Sequence, residues 1–166
     1  LDLTTVDLIK NELFKNCSKG ATFEKYKNKW LQMLNNFEDI KYVKSFIRHY
    51  WISNVDEVSH VNLFKEIRKY LKGSSELSEK LIDELAKQAV FYGALINPNS
   101  NNIPNNRLLN ILLDMKSLKY DITNPILLSA YNYYNGDYEK IADIALICRN
   151  FLLRYITISN GKPSSI

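Results

Sequence analysis

Apolar side chains return every third or fourth residue along nearly the whole chain, in runs too long for strands. Only a helix gathers that spacing on one face; a half-buried strand needs strict alternation. Between the runs lie short clusters of Gly, Ser, Asn, Asp and Pro, the residues that start, cap and end helices. Gly and Pro are otherwise scarce, 5 and 4 in 166 residues. All-β domains spend both on turns, so scarcity also favours helices.

Read in order, the pattern predicts about eight helices. Thr4 and Asp7 form a capping-box-like start, and Val6, Ile9, Leu13 and Phe14 predict a first helix over residues 5–15. Cys17 to Gly20 ends it, Gly20 suiting a left-handed turn. Thr22 is the expected cap of the second, whose aromatic stripe is Phe23, Tyr26, Trp30, Leu34 and Phe37, with lysines opposite. Asp39 caps a third, with Ile40, Val43, Ile47, Tyr50 and Trp51 as its buried line. Ser59 and Ser78 are the expected caps of the fourth and fifth, and a sixth runs from about Pro104 to Leu118. Asn124 and Pro125 open a seventh through Tyr134, and Asp137 caps an eighth over residues 138–158. Residues 156–159 alternate and admit an extended reading.

The eighth segment is apolar on two faces. Ile141, Ala145, Cys148, Leu152 and Tyr155 form one; Ile144, Ile147 and Phe151 form another. A helix apolar nearly all round is normally central. The expected fold is therefore all-α, an irregular bundle of about eight helices around a central C-terminal helix. Residues 1–158 read as a single helical domain, with 1–15 alternatively the edge of a preceding domain, and 159–166 as a linker or tail. The chain opens at Leu1 directly on a helix start, the pattern expected of a domain within a larger protein.

Composition narrows the setting. Apolar residues at 46% and charged residues at 24% are ordinary for a globular chain and argue against disorder. No apolar run approaches the roughly 20 residues of a membrane span, and residues 1–12 do not read as a signal peptide. The two cysteines, Cys17 and Cys148, share no metal-ligand spacing and read as reduced thiols, so a cytoplasmic location is expected.

The net charge of +4 is uneven: residues 1–72 hold 13 Lys/Arg against 9 Asp/Glu. Lys10, Lys15, Lys19, Lys25, Lys27 and Lys29 cluster there. They read either as a solvated helix face or as contacts to a phosphate backbone. As point charges they would position DNA without reading its sequence.

Motifs for catalysis are missing from the sequence. The only histidines, His49 and His60, fall on different predicted elements, and no Cys-x-x-Cys, phosphate loop or nucleophile elbow occurs. The chain is read as non-enzymatic, with no cofactor of its own. Two clusters stand out. Arg48, His49, Tyr50 and Trp51 are either a helix end filling core or a contact surface, since Arg, Tyr and Trp anchor interfaces. Arg149, Asn150 and Arg154 lie on a helix otherwise suited to a core, so the arginines need acidic partners within the domain or on a neighbouring one.

These segments carry a resemblance. Residues 3–14, Leu-Thr-Thr-Val-Asp-Leu-Ile-Lys-Asn-Glu-Leu-Phe, resemble a stretch of GmrSD-type restriction endonucleases that follows a ParB-like N-terminal domain. Residues 46–53, Phe-Ile-Arg-His-Tyr-Trp-Ile-Ser, followed by Leu63, Phe64 and Lys65, resemble that family's Phe-Leu-Arg-His-Tyr-Trp-Ile-Ser helix and its successor. Residues 149–154 are similar to its Asn-Phe-Leu-Val-Arg-Arg helix, with Tyr155 where the family tends to carry a second arginine. The likeness spans essentially the whole chain. Such proteins join a nucleotide-handling domain to a His-Asn-His-type nuclease and restrict modified phage DNA. Neither catalytic motif occurs here, so the resemblance implies the helical middle region. It would be a non-catalytic connecting or scaffold domain, with the parent's flanking domains and the DNA backbone as partners and no membrane. The competing reading is a stand-alone protein–protein interaction module without a nucleic-acid role.

Overall fold

The computed structural model describes residues 4–15, 17, 20–118 and 121–159. Among them are eight helices: α1 (Thr5–Lys15), α2 (Ala21–Leu34), α3 (Ile40–Asn54), α4 (Leu63–Leu71), α5 (Ser75–Ile96), α6 (Asn106–Leu118), α7 (Asn124–Tyr133) and α8 (Tyr138–Ser159). The fold is all-α, with no strand among the described residues. Residues 156–159 are helical, and Thr157 Oγ1 donates back to the Leu153 carbonyl at 2.8 Å. The expected tail beyond 159 lies outside the described residues.

The caps are where local chemistry is most legible. Thr4 and Asp7 form the capping box: the Thr4 amide donates to Asp7 Oδ2 at 3.1 Å, and the Asp7 amide to Thr4 Oγ1 at 3.2 Å. The Thr4 hydrogen bonds hold the Asp7 carboxyl below its usual range. Asp39 accepts from the Lys41 amide at 2.9 Å, and Asp137 from the amides of Glu139 and Lys140. Gly20 adopts φ 95°, the left-handed region that glycine reaches without penalty.

Four expected starts move. α2 begins at Ala21 after N-cap Gly20, which puts Thr22, its expected cap, inside the helix. The α5 cap is Ser74, which accepts from the Leu77 amide at 3.2 Å; Ser78 is fully buried, its hydroxyl donating to the Ser74 carbonyl. At α6, Asn105 caps through the Leu108 amide at 2.8 Å, so the helix begins after Pro104. Ser59 accepts from the Asn62 amide in a turn just ahead of α4. At α5 and α6 a second competent side chain nearby took the role, whereas the α4 N-cap Asn62 makes no side-chain cap hydrogen bond.

The chain divides into two compact units, residues 1–90 and 91–166, with the boundary inside α5. In the first, α1 packs on α4 and α3 through Val6, Ile9 and Leu13, all buried. The first helix thus belongs to this unit's own core. The helix most enclosed here is α3: Val43, Phe46, Ile47, His49, Tyr50 and Trp51 are all buried, an arc of about 200° at 100° per residue. Leu63, Ile67 and Leu71 of α4 are fully buried. On α2 the inward line is Tyr26, Trp30 and Met33, while Phe23 is 38% exposed and Leu34 half-buried. The expected aromatic stripe therefore splits between core and surface.

In the second unit α8 packs against α6 and α7. Its buried residues are Ile141, Ala142, Ala145, Cys148 and Leu152. Leu108, Ile111, Leu112 and Met115 supply the buried face of α6. The second apolar face expected on α8 is open: Ile147 is 65% exposed and Phe151 56%. The helix is covered on one side only, which corrects the expectation of coverage all round.

Because Leu13 is fully buried, Leu13→Ala should destabilise the first unit by about 2–5 kcal/mol, read by urea unfolding. A loss well under ~1 kcal/mol would mean that α1 is not part of this core.

Candidate functional site

Helix burial decides the fate of the aromatic cluster on α3. Tyr50 and Trp51 are 6% and 3% exposed and His49 5%. Trp51 meets Tyr70 edge-on at 5.5 Å between ring centroids, and Phe46 packs against Phe37 and Tyr50. Arg48 is half-buried and its Nε donates to the Val58 carbonyl at 3.0 Å, which pins the segment before α4. His49, Tyr50 and Trp51 are thus core, and the contact surface proposed for them is corrected. Burial raises the Tyr50 phenol well above its ordinary value, with the Glu84 carboxylate a lesser cause.

The lysines do not form one patch. Lys25 pairs with Glu79 at 3.1 Å and Lys29 with Asp83, so that two lysines one turn apart on α2 meet two acids one turn apart on α5. Tyr26, buried between them, hydrogen-bonds Glu79, and this bond first and Lys25 second hold the Glu79 carboxyl below its usual range. Lys15 lies 3.9 Å from Glu12. Lys19 is outside the described residues. These pairs hold Lys25 and Lys29 against α5, away from the α1 side of α2.

Lys10 and Lys27 are placed differently. With Phe14, Phe23, Trp30 and Leu31 they line a recess of about 250 Å³ between α1 and α2. Phe14 is the centre of its wall, with Phe23 at 5.5 Å and Trp30 at 6.2 Å between ring centroids. Lys10 Nζ sits 5.9 Å over the Phe14 ring. Lys27 is 3.5 Å from Glu24, both well exposed. The signal was present in the spacing: Phe23, Lys27 and Leu31 recur every four residues and share a face. Reading the lysines as opposite the aromatic stripe missed it. A second, larger recess of about 420 Å³ is bordered by Trp51 and Tyr70 and by both acids and lysines, among them Asp56, Glu66 and Lys69.

In the second unit Arg149 turns inward. Its Nη1 donates to Asp114 Oδ2 at 2.9 Å and its Nη2 to Asn150 Oδ1 at 3.4 Å. Arg107 spans Glu139 at 3.3 Å and Asp143 at 2.6 Å, tying α6 to the first turns of α8. Arg154 is exposed and has no acidic partner among the described residues. Asn150 is exposed beside it.

Around α8, Ile147, Phe151 and Ile158 fall within an arc of about 40°, opposite the buried side. They are 65%, 56% and 78% exposed. Phe151 stacks on Tyr155 at 6.2 Å and 16°, and Arg154 stands at the stripe's edge. The spacing from Ile147 through Phe151 and Arg154 to Ile158 is four, three, four, the seam of helix-on-helix packing. The candidate site of this unit is that stripe.

Both cysteines are free. No cluster of three or more His, Cys, Asp or Glu among the described residues is arranged to hold a metal ion, and no helix among them is long and apolar enough to cross a membrane. No protein-family model, curated protein or solved structure matches the chain.

Burial first, and the Glu79 carboxylate second, push the Cys17 thiol up to about 11 from an ordinary 9.0. Because the protonated form is favoured, its reactive thiolate should appear only as pH approaches that raised value. Alkylation of Cys17, followed by peptide mass spectrometry, should therefore climb between pH 9 and 11. Glu79→Gln should move the profile to lower pH. A rate already level at pH 9 would contradict both causes.

Proposed function

We propose that this chain is a non-catalytic helical connecting domain of a multidomain DNA-restriction enzyme. It joins the nucleotide-handling and nuclease domains. The observation that carries the connecting role is the exposed stripe Ile147, Phe151 and Ile158 on α8. A helix that leaves three large apolar side chains on one line in water loses burial worth about 1.5–3 kcal/mol for each, and lines of this kind mark interaction surfaces. The occupant is an amphipathic helix of a flanking domain. Its apolar stripe lies along this one, and it carries a carboxylate that meets Arg154, whose charge is otherwise unmatched among the described residues. The DNA-restriction part of the reading is supported by the resemblance of residues 3–14, 46–53 and 149–154 to the family's helical middle region.

Hydroxyl-radical footprinting of the isolated chain and of the full parent protein tests the connecting role. Oxidation of Phe151 and Ile158 should fall severalfold in the parent, whereas exposed Tyr133, at 78%, serves as reference. Equal oxidation in both would sink the docking role. Protection of Phe151 that instead depends on the concentration of the isolated chain assigns the stripe to self-association and favours a stand-alone interaction module. The reading frame of the parent tests the enzyme: Asp-Gly-Gln-Gln-Arg upstream and a His-Asn-His cluster downstream are expected, and a frame coding for neither motif removes the restriction reading.

A further inference from the structure

The recess between α1 and α2 belongs to the first unit, and its reading does not depend on what docks on α8. Its wall consists of rings and one leucine, and the two charged residues that border it are both lysines. Phe14 lies at the centre of the wall, Phe23 beside it is 38% exposed, and Leu31 is 47% exposed. Trp30 is 3% exposed and backs the wall. Lys10 and Lys27 stand on its rim, one from each helix. Lys10 has no acid within ion-pair distance among the described residues. The pair of Lys27 with Glu24, both side chains more than half exposed, is of the kind that contributes little and exchanges readily for another anion.

A ligand suited to this recess has a flat apolar body and negative charge on two sides. A main-chain peptide strand is poorly served, because the lining offers no acceptor and no row of amides. A membrane is equally poorly served, since about 250 Å³ accepts a single ring system and the apolar surface is concave. One unpaired base with its flanking phosphates meets all three conditions. Stacking on aromatic rings is tolerant of base identity, and lysines bind phosphate as point charges. We propose that this recess binds single-stranded nucleic acid, one base stacking on Phe23 within the Phe14–Trp30 wall and the adjacent phosphates held by Lys10 and Lys27. The +4 net charge of the chain favours approach of such a polyanion.

The assignment differs from a general basic face in what it predicts. Two phosphate contacts give a logarithmic salt dependence of the binding constant with a slope of about −1.4 for a single strand. Loss of the stacking ring weakens binding about tenfold, at unchanged salt slope. Loss of both lysines flattens the slope.

The experiment is fluorescence anisotropy of a labelled short homothymidine oligomer titrated with the 166-residue chain over a series of salt concentrations. Phe23→Ala, Lys10→Gln with Lys27→Gln, and Lys41→Gln are compared, with circular dichroism on each. Phe23 and both lysines are at the surface, so these variants should keep the fold; Lys41, on α3 and paired with Asp39 at 3.3 Å, is the control for general charge. Weakening by Phe23→Ala, a flattened slope in the lysine double variant and no more than a small effect of Lys41→Gln are expected. Absence of binding at the lowest salt overturns the proposal. So does equal affinity for a duplex of the same length, in which the bases are stacked away, or equal loss from Lys41→Gln and from the recess lysines. Displacement of the oligomer by an equimolar acidic peptide would reassign the recess to protein.

Discussion

The enclosure of α3 is the constraint on which the first unit depends. Six of its fifteen residues are buried, including a histidine, more than on α1 or α4. A helix can be surrounded in this way because its backbone donors and acceptors are already paired within it. Only side chains then need partners. Arg48 finds the Val58 carbonyl, Trp51 finds the edge of Tyr70, and Asn54 reaches the Tyr50 carbonyl at 2.8 Å. The helices α1 and α4 can then be amphipathic and modest in length, since each needs to bury only one stripe against an apolar partner.

Polar contacts at the surface hold these helices in relation to one another. Lys25 with Glu79 and Lys29 with Asp83 join α2 to α5, and the phenol of buried Tyr26 reaches Glu79 between them. Exposed pairs of this kind contribute little one at a time. Their geometric effect is larger, because α2 cannot rotate about its axis without breaking both pairs and withdrawing Tyr26. The same orientation turns Phe23, Lys27 and Leu31 toward α1, where the recess forms. In the second unit Arg107 and Arg149 do comparable work, each bridging α6 to α8 and so leaving the opposite side of α8 open.

Much of the fold was legible in the sequence. The number of helices and the caps at Thr4, Asp39 and Asp137 follow from local rules, whereas Gly20, read as the turn that ends α1, is instead the N-cap of α2 with φ 95° and ψ −143°. The moved starts at Ser74 and Asn105 show the limit of those rules: Ser78 is buried inside α5 while Ser74 caps it, and Asn105, next to Pro104, caps α6. The sites were less legible. Arg48, His49, Tyr50 and Trp51 have the composition of an interface, yet the same amphipathic rings fill cores equally well. Ile147 and Phe151 have the composition of a core and stand in water.

What the residues determined alone is periodicity and its punctuation: helix type, approximate ends, and which positions share a face. These are short-range properties, set by backbone geometry and by side chains within a turn of each other. Which face is covered is a property of the neighbours. The periodicity of α8 marks two apolar faces alike, and only the placement of α6 and α7 leaves Ile147, Phe151 and Ile158 uncovered. Likewise the six clustered lysines look equivalent as a string. Tertiary structure alone separated Lys25 and Lys29, which meet acids of α5, from Lys10 and Lys27 on the rim of an aromatic recess, because an ion pair forms between residues that folding brings within about 4 Å regardless of their distance along the chain.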